Sequence, residues 1–150
     1  MSSSTPFVSI IIPVYNASSY LAACLQSICE QTFSDFEIII INDGSTDNSI
    51  DIIKEFATSD KRIIYTSTPK QGSSLARKAG IEIATGKYIQ FVDSDDTLFA
   101  KDTIEKLVTI TEKEQAEIIA SPYVSRFPNK PDETTCLHFT QLSPINYLKE

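Results

Sequence analysis

The chain has 150 residues, 41% of them hydrophobic and 22% charged, with a formal net charge of -7. A domain of that length buries about 68–70% of the surface its unfolded chain exposes, so one domain with a real core needs no metal or disulfide staple. The acidic balance argues against a nucleic-acid surface, which needs clustered Lys and Arg, and Cys24, Cys29 and Cys136 lack metal-ligand spacing and read as reduced thiols.

From the N-terminus, Met1-Ser2-Ser3-Ser4-Thr5 has no basic region, and nowhere do eighteen apolar residues run together. The expectation is a disordered segment over 1–5 and a chain that is neither secreted nor membrane-spanning. Strands are predicted at Val8–Ile12, Glu37–Ile41, Ile63–Thr66, Tyr88–Val92 and Glu117–Ala120, each rich in Ile, Val or aromatics and short enough to be buried on both faces. Between them lie helical periodicities. The first carries Leu21, Cys24, Leu25 and Ile28 on one face, and the second Ile50, Ile53 and Ala57 after the capping-type residues Ser45 and Thr46. A third spans 74–84 with Ala76, Ala79 and Ile83 inward, and a fourth carries Ile104, Leu107 and Val108. This alternation predicts a three-layer α/β/α sandwich with a mostly parallel sheet.

Ligands of open α/β sheets lie beyond the carboxyl ends of the strands, so the loops leaving each strand carry the functional argument. Pro13-Val14-Tyr15-Asn16 follows the first strand, and Asn42-Asp43-Gly44-Ser45-Thr46-Asp47 the second. The fourth runs into Asp93-Ser94-Asp95-Asp96. Tyr15 offers a flat face for a base, Asp43 an acceptor for a ring N–H or a ribose hydroxyl, and Arg77, in the third helix, a cation for a diphosphate. Taken singly, each has an ordinary alternative: a rim tyrosine, a turn aspartate, a solvated arginine. The acidic run is more pointed. Two carboxylates about 4 Å apart repel by roughly 1 kcal/mol in water and roughly 4 kcal/mol at an effective dielectric near 20. Hard cations such as Mg²⁺ or Mn²⁺ take one or two carboxylates and complete their shell with water and phosphates, so a metal–diphosphate site is expected here.

Four motifs in order resemble the nucleotide-binding half of the family 2 glycosyltransferases, which have the GT-A fold. They are Val8-Ser9-Ile10-Ile11-Ile12-Pro13-Val14-Tyr15-Asn16, Ile41-Asn42-Asp43-Gly44-Ser45-Thr46-Asp47, Gly72-Ser73-Ser74-Leu75-Ala76-Arg77-Lys78-Ala79-Gly80-Ile81, and Gly86-Lys87-Tyr88-Ile89 leading into Asp93-Ser94-Asp95-Asp96. The resemblance covers roughly residues 6 to 125. It implies inverting transfer of a sugar from a UDP- or dTDP-sugar to a saccharide or lipid-linked acceptor, as in cell-surface polysaccharide synthesis, with Mn²⁺ or Mg²⁺ as cofactor. By the same resemblance Pro13 and Tyr15 bracket the base, Asn16 belongs to the nucleotide-sugar-binding set, Asp43 recognises the pyrimidine and Arg77 holds the nucleotide side. Asp95 becomes the direct metal ligand, with Asp93 or Ser94 near the ribose and Asp93 as a second metal ligand. Lys78 departs from the pattern, standing where an Asn is common, which leaves the sugar-side contacts open.

Family members continue into an acceptor-binding half that supplies an Asp or Glu as general base. Residues 126–150 are therefore expected to begin that region, with the base beyond Glu150; Asp132 and Glu133 sit in a Pro-, Asn- and Thr-rich segment where a solvated carboxylate makes a poor base. His138 reads as a surface or strand residue, and Ser143-Pro144 as a helix start. The expected location is the cytoplasm, extending to the inner face of the membrane, and the resemblance allows peripheral membrane association of the full-length protein and a homodimer. Two rivals stand beside this reading. A haloacid-dehalogenase-type phosphatase would use Asp93 as nucleophile and Asp95 as acid/base, but Asp96 stands where that family has Gly. A non-catalytic α/β binding module would explain the missing base and leave four matching loops as coincidence.

Overall fold

A computed structural model describes residues 5–117, 123–125 and 133–135 of the chain. They fall into two compact units, one through Lys106 and one from Leu107. In the first, strands β1 (Val8–Val14), β2 (Phe36–Asp43), β3 (Ile63–Thr68) and β4 (Tyr88–Phe91) alternate with helices α1 (Leu21–Cys29), α2 (Ser49–Ser59) and α3 (Ser73–Ile83), and α4 (Thr103–Glu114) begins in it. The second contains β5 (Tyr123–Ser125) and β6 (Glu133–Thr135), paired antiparallel.

The main sheet has the order β3-β2-β1-β4 and is parallel throughout. Every residue of β1 and β2 is buried, as expected for central strands that read as unbroken Ile/Val runs. One face packs on α3, where Ile11, Ile39 and Ile41 meet Ala76 with Ala79 and Ile83 beside them. Gly80 permits that approach, since a Cβ there would stand 2.4 Å from Ile11 Cγ2. On the alternate side Ile10, Ile12, Ile38 and Ile40 are fully buried too, and α1 and α2 contribute Leu21, Leu25, Ile28 and Ile53 with no exposed surface.

Two expectations need correction. Burial on both faces fails for β3 and β4, where Ile64, Tyr65, Ile89 and Phe91 are 40–44% exposed, because these are the sheet's edges and α3 packs on the two central strands. And β1 continues through Pro13 instead of stopping at Ile12. Proline is tolerated there because β4 pairs with β1 only as far as Ile11, which accepts the Val92 N–H. Peptide direction alternates, so Pro13, two residues on, turns its missing donor toward the side that β4 has already left. The expected strand at Glu117–Ala120 and the Ser143-Pro144 helix start fall outside the described residues apart from Glu117, which lies in a bend.

At the amino ends of the strands, Ser9 Oγ donates to Glu37 Oε1 at 2.6 Å, Thr85 donates to the same oxygen from N and Oγ1, and the Gly86 N–H reaches Ser9 Oγ. Burial works to raise the Glu37 pKa, but these hydrogen bonds outweigh it and the net shift is downward. The opposite ends are left for the cleft.

Candidate active site

Strand order reverses between β1 and β4, and the crevice opens there, beyond their carboxyl ends. It has a volume of about 240 Å³. Pro13, Val14 and Tyr15 line it from β1 and its loop, Asp43 from the end of β2, Ser73 and Arg77 from α3, and Asp93, Ser94 and Asp95 from the loop after β4. Seven of the eight expected ligand-binding residues thus share one cleft.

Asn16 is the eighth and is not in the lining. It adopts a left-handed φ of 48°, its N–H donates to Ser45 Oγ at 3.1 Å, and its side-chain oxygen accepts the Thr46 N–H at 2.8 Å. Nearby, the Ala17 N–H donates to Ser49 Oγ and the Ser18 N–H to Asp47 Oδ2, which ties the first loop to the second. Ser45 and Thr46 therefore hold Asn16 and do not cap α2; Asp47 serves that end, its Oδ1 accepting the Ser49 N–H at 3.0 Å. Burial pushes the Asp47 pKa upward, but hydrogen bonds from Ser49 and Ser18 win and hold it well below the usual carboxylate range. An Asp two residues ahead of a Ser-started helix was the available signal for this clamp.

Asp43 is buried, 2% exposed. Its Oδ1 accepts from Gln71 N at 2.9 Å and Thr68 Oγ1 at 3.3 Å, and its Oδ2 accepts from Gly72 N at 2.8 Å. A carboxylate has about four acceptor positions, so three hydrogen bonds leave one free on a residue that lines the cleft. The same bonds fasten the loop before α3 to the end of β2, where Gly44, with φ 71°, lets the Lys70 backbone pass 2.8 Å from where a Cβ would be. Lys70 Nζ consequently lies 3.9 Å from the centroid of the Tyr15 ring, a cation–π contact with no signature in the sequence.

In the acidic loop, the Asp96 N–H closes a turn on the Asp93 carbonyl at 3.0 Å, and Arg77 Nη2 pairs with Asp93 Oδ1. Asp96 itself is not in the lining; burial, then the charges of Asp95 and Asp93, raise its pKa. The negative potential reaches the buried Cys24, whose thiol is pushed up to about 12 first by burial and then by Asp96, Asp95 and Asp93. Three carboxylates against the one guanidinium paired there leave the loop attractive to a cation. Among the described residues no three His, Cys, Asp or Glu side chains form a ready metal centre. What the loop offers is a carboxylate pair, Asp93 and Asp95, which suits a cation that takes its remaining oxygens from phosphate and water. Cys24 and Cys29 are free thiols, whereas Asp132, Cys136 and His138 lie outside the described residues. No helix among the described residues is long and apolar enough to cross a membrane.

The family model described as "Glycosyl transferase family 2" matches residues 9–149. Glycosyltransferase GlyA of Streptococcus pneumoniae serotype 4 is 43% identical over 118 residues, covering 79% of this chain and 17% of that protein. Among solved structures, S. aureus TarS 1-349 in complex with UDP-GlcNAc superposes with a TM-score of 0.68 at 26% identity, over 73% of this chain and 32% of that one. Mannosyltransferase PcManGT from Pyrobaculum calidifontis, in complex with GDP-Man and Mn²⁺, shares the fold at a TM-score of 0.67 and 24% identity, over 73% and 33%. In the most similar curated relatives the matched region makes up between 17% and 49% of the protein's length.

Proposed function

The chain belongs to glycosyl transferase family 2, and from that membership we propose that it forms the donor-binding part of an inverting glycosyltransferase using a UDP- or dTDP-sugar. The observation that carries the reading is the meeting of Asp43, Arg77 and the Asp93–Asp95 run in one cleft at the reversal of strand order. GlyA, a glycosyltransferase by name, and TarS, solved with UDP-GlcNAc, support the class of reaction and of donor.

In this reading Pro13 and Tyr15 bracket the base, and the remaining acceptor position of Asp43 takes the ring N–H of a uracil or thymine. Arg77 faces the nucleotide diphosphate, Ser94 and Asp93 lie toward the ribose, and Asn16 acts by fixing the Tyr15 loop. Asp95, with Asp93, would hold Mn²⁺ or Mg²⁺, which when bound supplies positive charge against the diphosphate. During transfer the acceptor oxygen bonds to the anomeric carbon as the bond to the diphosphate oxygen breaks, and the charge gathering on the leaving group faces Arg77. Residues 6–125 make up this donor-binding region and 126–150 open the acceptor side. The base that deprotonates the acceptor hydroxyl is assigned beyond Glu150, and the acceptor is a saccharide or a lipid-linked sugar handled in the cytoplasm at the inner face of the membrane.

Titration calorimetry with UDP, in Mn²⁺ and in chelator, tests this. Saturable binding that Mn²⁺ strengthens is expected, with that Mn²⁺-dependent gain lost in Asp95→Ala. No UDP binding overturns the reading, and wild-type affinity in Asp95→Ala removes the metal role.

A further inference from the structure

The segment that carries the acidic residues has no regular structure from Val92 to the start of α4, yet its backbone is tied down at several points. The partners come from one side of α1 and the turn just after it. Cys24 Sγ donates to the Asp93 carbonyl at 3.5 Å, Ser27 Oγ accepts the Leu98 N–H at 3.0 Å, and Gln31 Nε2 donates to the Ala100 carbonyl at 2.8 Å. Gln31 Oε1 then accepts the Ile104 N–H at 3.0 Å, and the Thr32 N–H meets the Lys101 carbonyl at 2.7 Å. Spacings of three and four residues put Cys24, Ser27 and Gln31 in one row, and Cys24 and Gln31 are buried. The row is internally braced, since Ser27 Oγ donates to the Cys24 carbonyl and Gln31 Nε2 to the Ser27 carbonyl.

None of these bonds touches a carboxylate. They hold the backbone at Asp93 and again from Leu98 to Ile104, on either side of Asp95 and Asp96, against the mutual repulsion those charges exert. A loop held only by its own turn would relax by splaying them apart, and the carboxylate pair would have to be regathered each time a cation bound. We propose that Ser27 and Gln31 are positioning residues that keep Asp93 and Asp95 gathered for a divalent cation, so that α1, which lines no part of the cleft, sets the metal dependence of nucleotide binding. The inference rests on the donor-binding reading above.

The test compares the gain in UDP affinity conferred by Mn²⁺ over chelator in the wild type, Ser27→Ala, Ser27→Thr, Gln31→Leu and, as a stability control, Ser9→Ala. The Ser9 hydroxyl donates to Glu37 at the amino end of the sheet, away from the cleft. Removing a group that orients metal ligands commonly costs 10- to 100-fold in metal affinity, so Ser27→Ala and Gln31→Leu should lose about 10-fold of the Mn²⁺ gain. Affinity in chelator should hold, Ser27→Thr, which keeps the hydroxyl, should behave as the wild type, and amide exchange at Leu98 and Ile104 should accelerate in the two damaging variants. Ser9→Ala should lower the melting temperature and leave the Mn²⁺ gain intact. An unchanged gain in folded Ser27→Ala, or an equal loss in Ser9→Ala, overturns the proposal. Should Gln31→Leu fail to fold, the Ser27 pair decides alone. A wild type without any Mn²⁺ gain refutes the metal role in the donor-binding reading and takes this inference with it.

Discussion

Arg77 and Asp93, one on α3 and the other just past β4, form an ion pair within the cleft, with side chains 32% and 50% exposed. A pair that open contributes little to folding, typically below 1 kcal/mol. Its consequence is electrostatic, because the guanidinium competes for a carboxylate that a cation would use. Arg77→Met should therefore leave the melting temperature nearly unchanged, tighten Mn²⁺ binding in the absence of nucleotide, and weaken UDP binding roughly 10-fold through loss of a charge-assisted hydrogen bond. Manganese paramagnetic resonance and calorimetry read the two affinities; weaker binding of Mn²⁺ alone would contradict the competition.

Asp43→Asn separates charge from shape. Oδ1 and Oδ2 each accept a backbone N–H, so in either orientation the new NH₂ faces a donor. The variant should lose about 1–3 kcal/mol of stability in urea denaturation and bind UDP roughly 5- to 150-fold more weakly. Wild-type stability would show that Asp43 is not the fastening point of the loop before α3.

Gly80→Ala introduces a Cβ 2.4 Å from Ile11 Cγ2 in the α3–sheet contact, where neither side can move without disturbing the core. The expected cost is about 1–3 kcal/mol. A chemical-denaturation midpoint equal to that of the wild type would mean that α3 can shift on the sheet.

Acid should destabilise the fold through named carboxylates. The Arg62 hydrogen bond leads in pulling Asp60 down to about 2, and Glu37 and Asp47 are also lowered. Because these folded-state values lie below the unfolded ones of about 3.9 for Asp and 4.3 for Glu, the stabilisation is complete above about pH 5 and disappears as pH falls through the folded values. Asp60→Asn should be less stable than the wild type by on the order of 1–2 kcal/mol at pH 7, with the difference shrinking as pH falls and vanishing below about pH 2. A stability difference that persists in acid would assign the effect to packing of Arg62 on Phe36, whose ring centroid is 4.2 Å away.

How much of this was legible in the sequence follows from range. The Ile runs of β1 and β2 announce buried parallel strands, and the residues Pro13, Tyr15, Asp43, Arg77 and Asp93–Asp95 carry enough motif to be gathered in advance. Contacts between distant loops left no local trace. Ser45 and Thr46 look like caps because hydroxyl residues before a helix usually are, and only the fold shows Asn16 competing for them. Likewise Ile89 and Phe91 have a core composition, but their exposure depends on strand order, which a run of apolar residues does not encode. Cys24 reads correctly as an inward thiol; that it reaches the carbonyl of Asp93 is a matter of tertiary placement. The family match sets aside the phosphatase alternative.

Pro13 has one more effect. Two parallel strands that diverge can zip further together whenever both still offer ladder groups, and a crevice between them would then narrow with every fluctuation. By removing the donor on the side where β4 departs after Ile11, Pro13 denies that zipper its next tooth. Closure of the mouth between β1 and β4 by continued strand pairing is thereby opposed at Pro13 by the covalent structure of the chain itself.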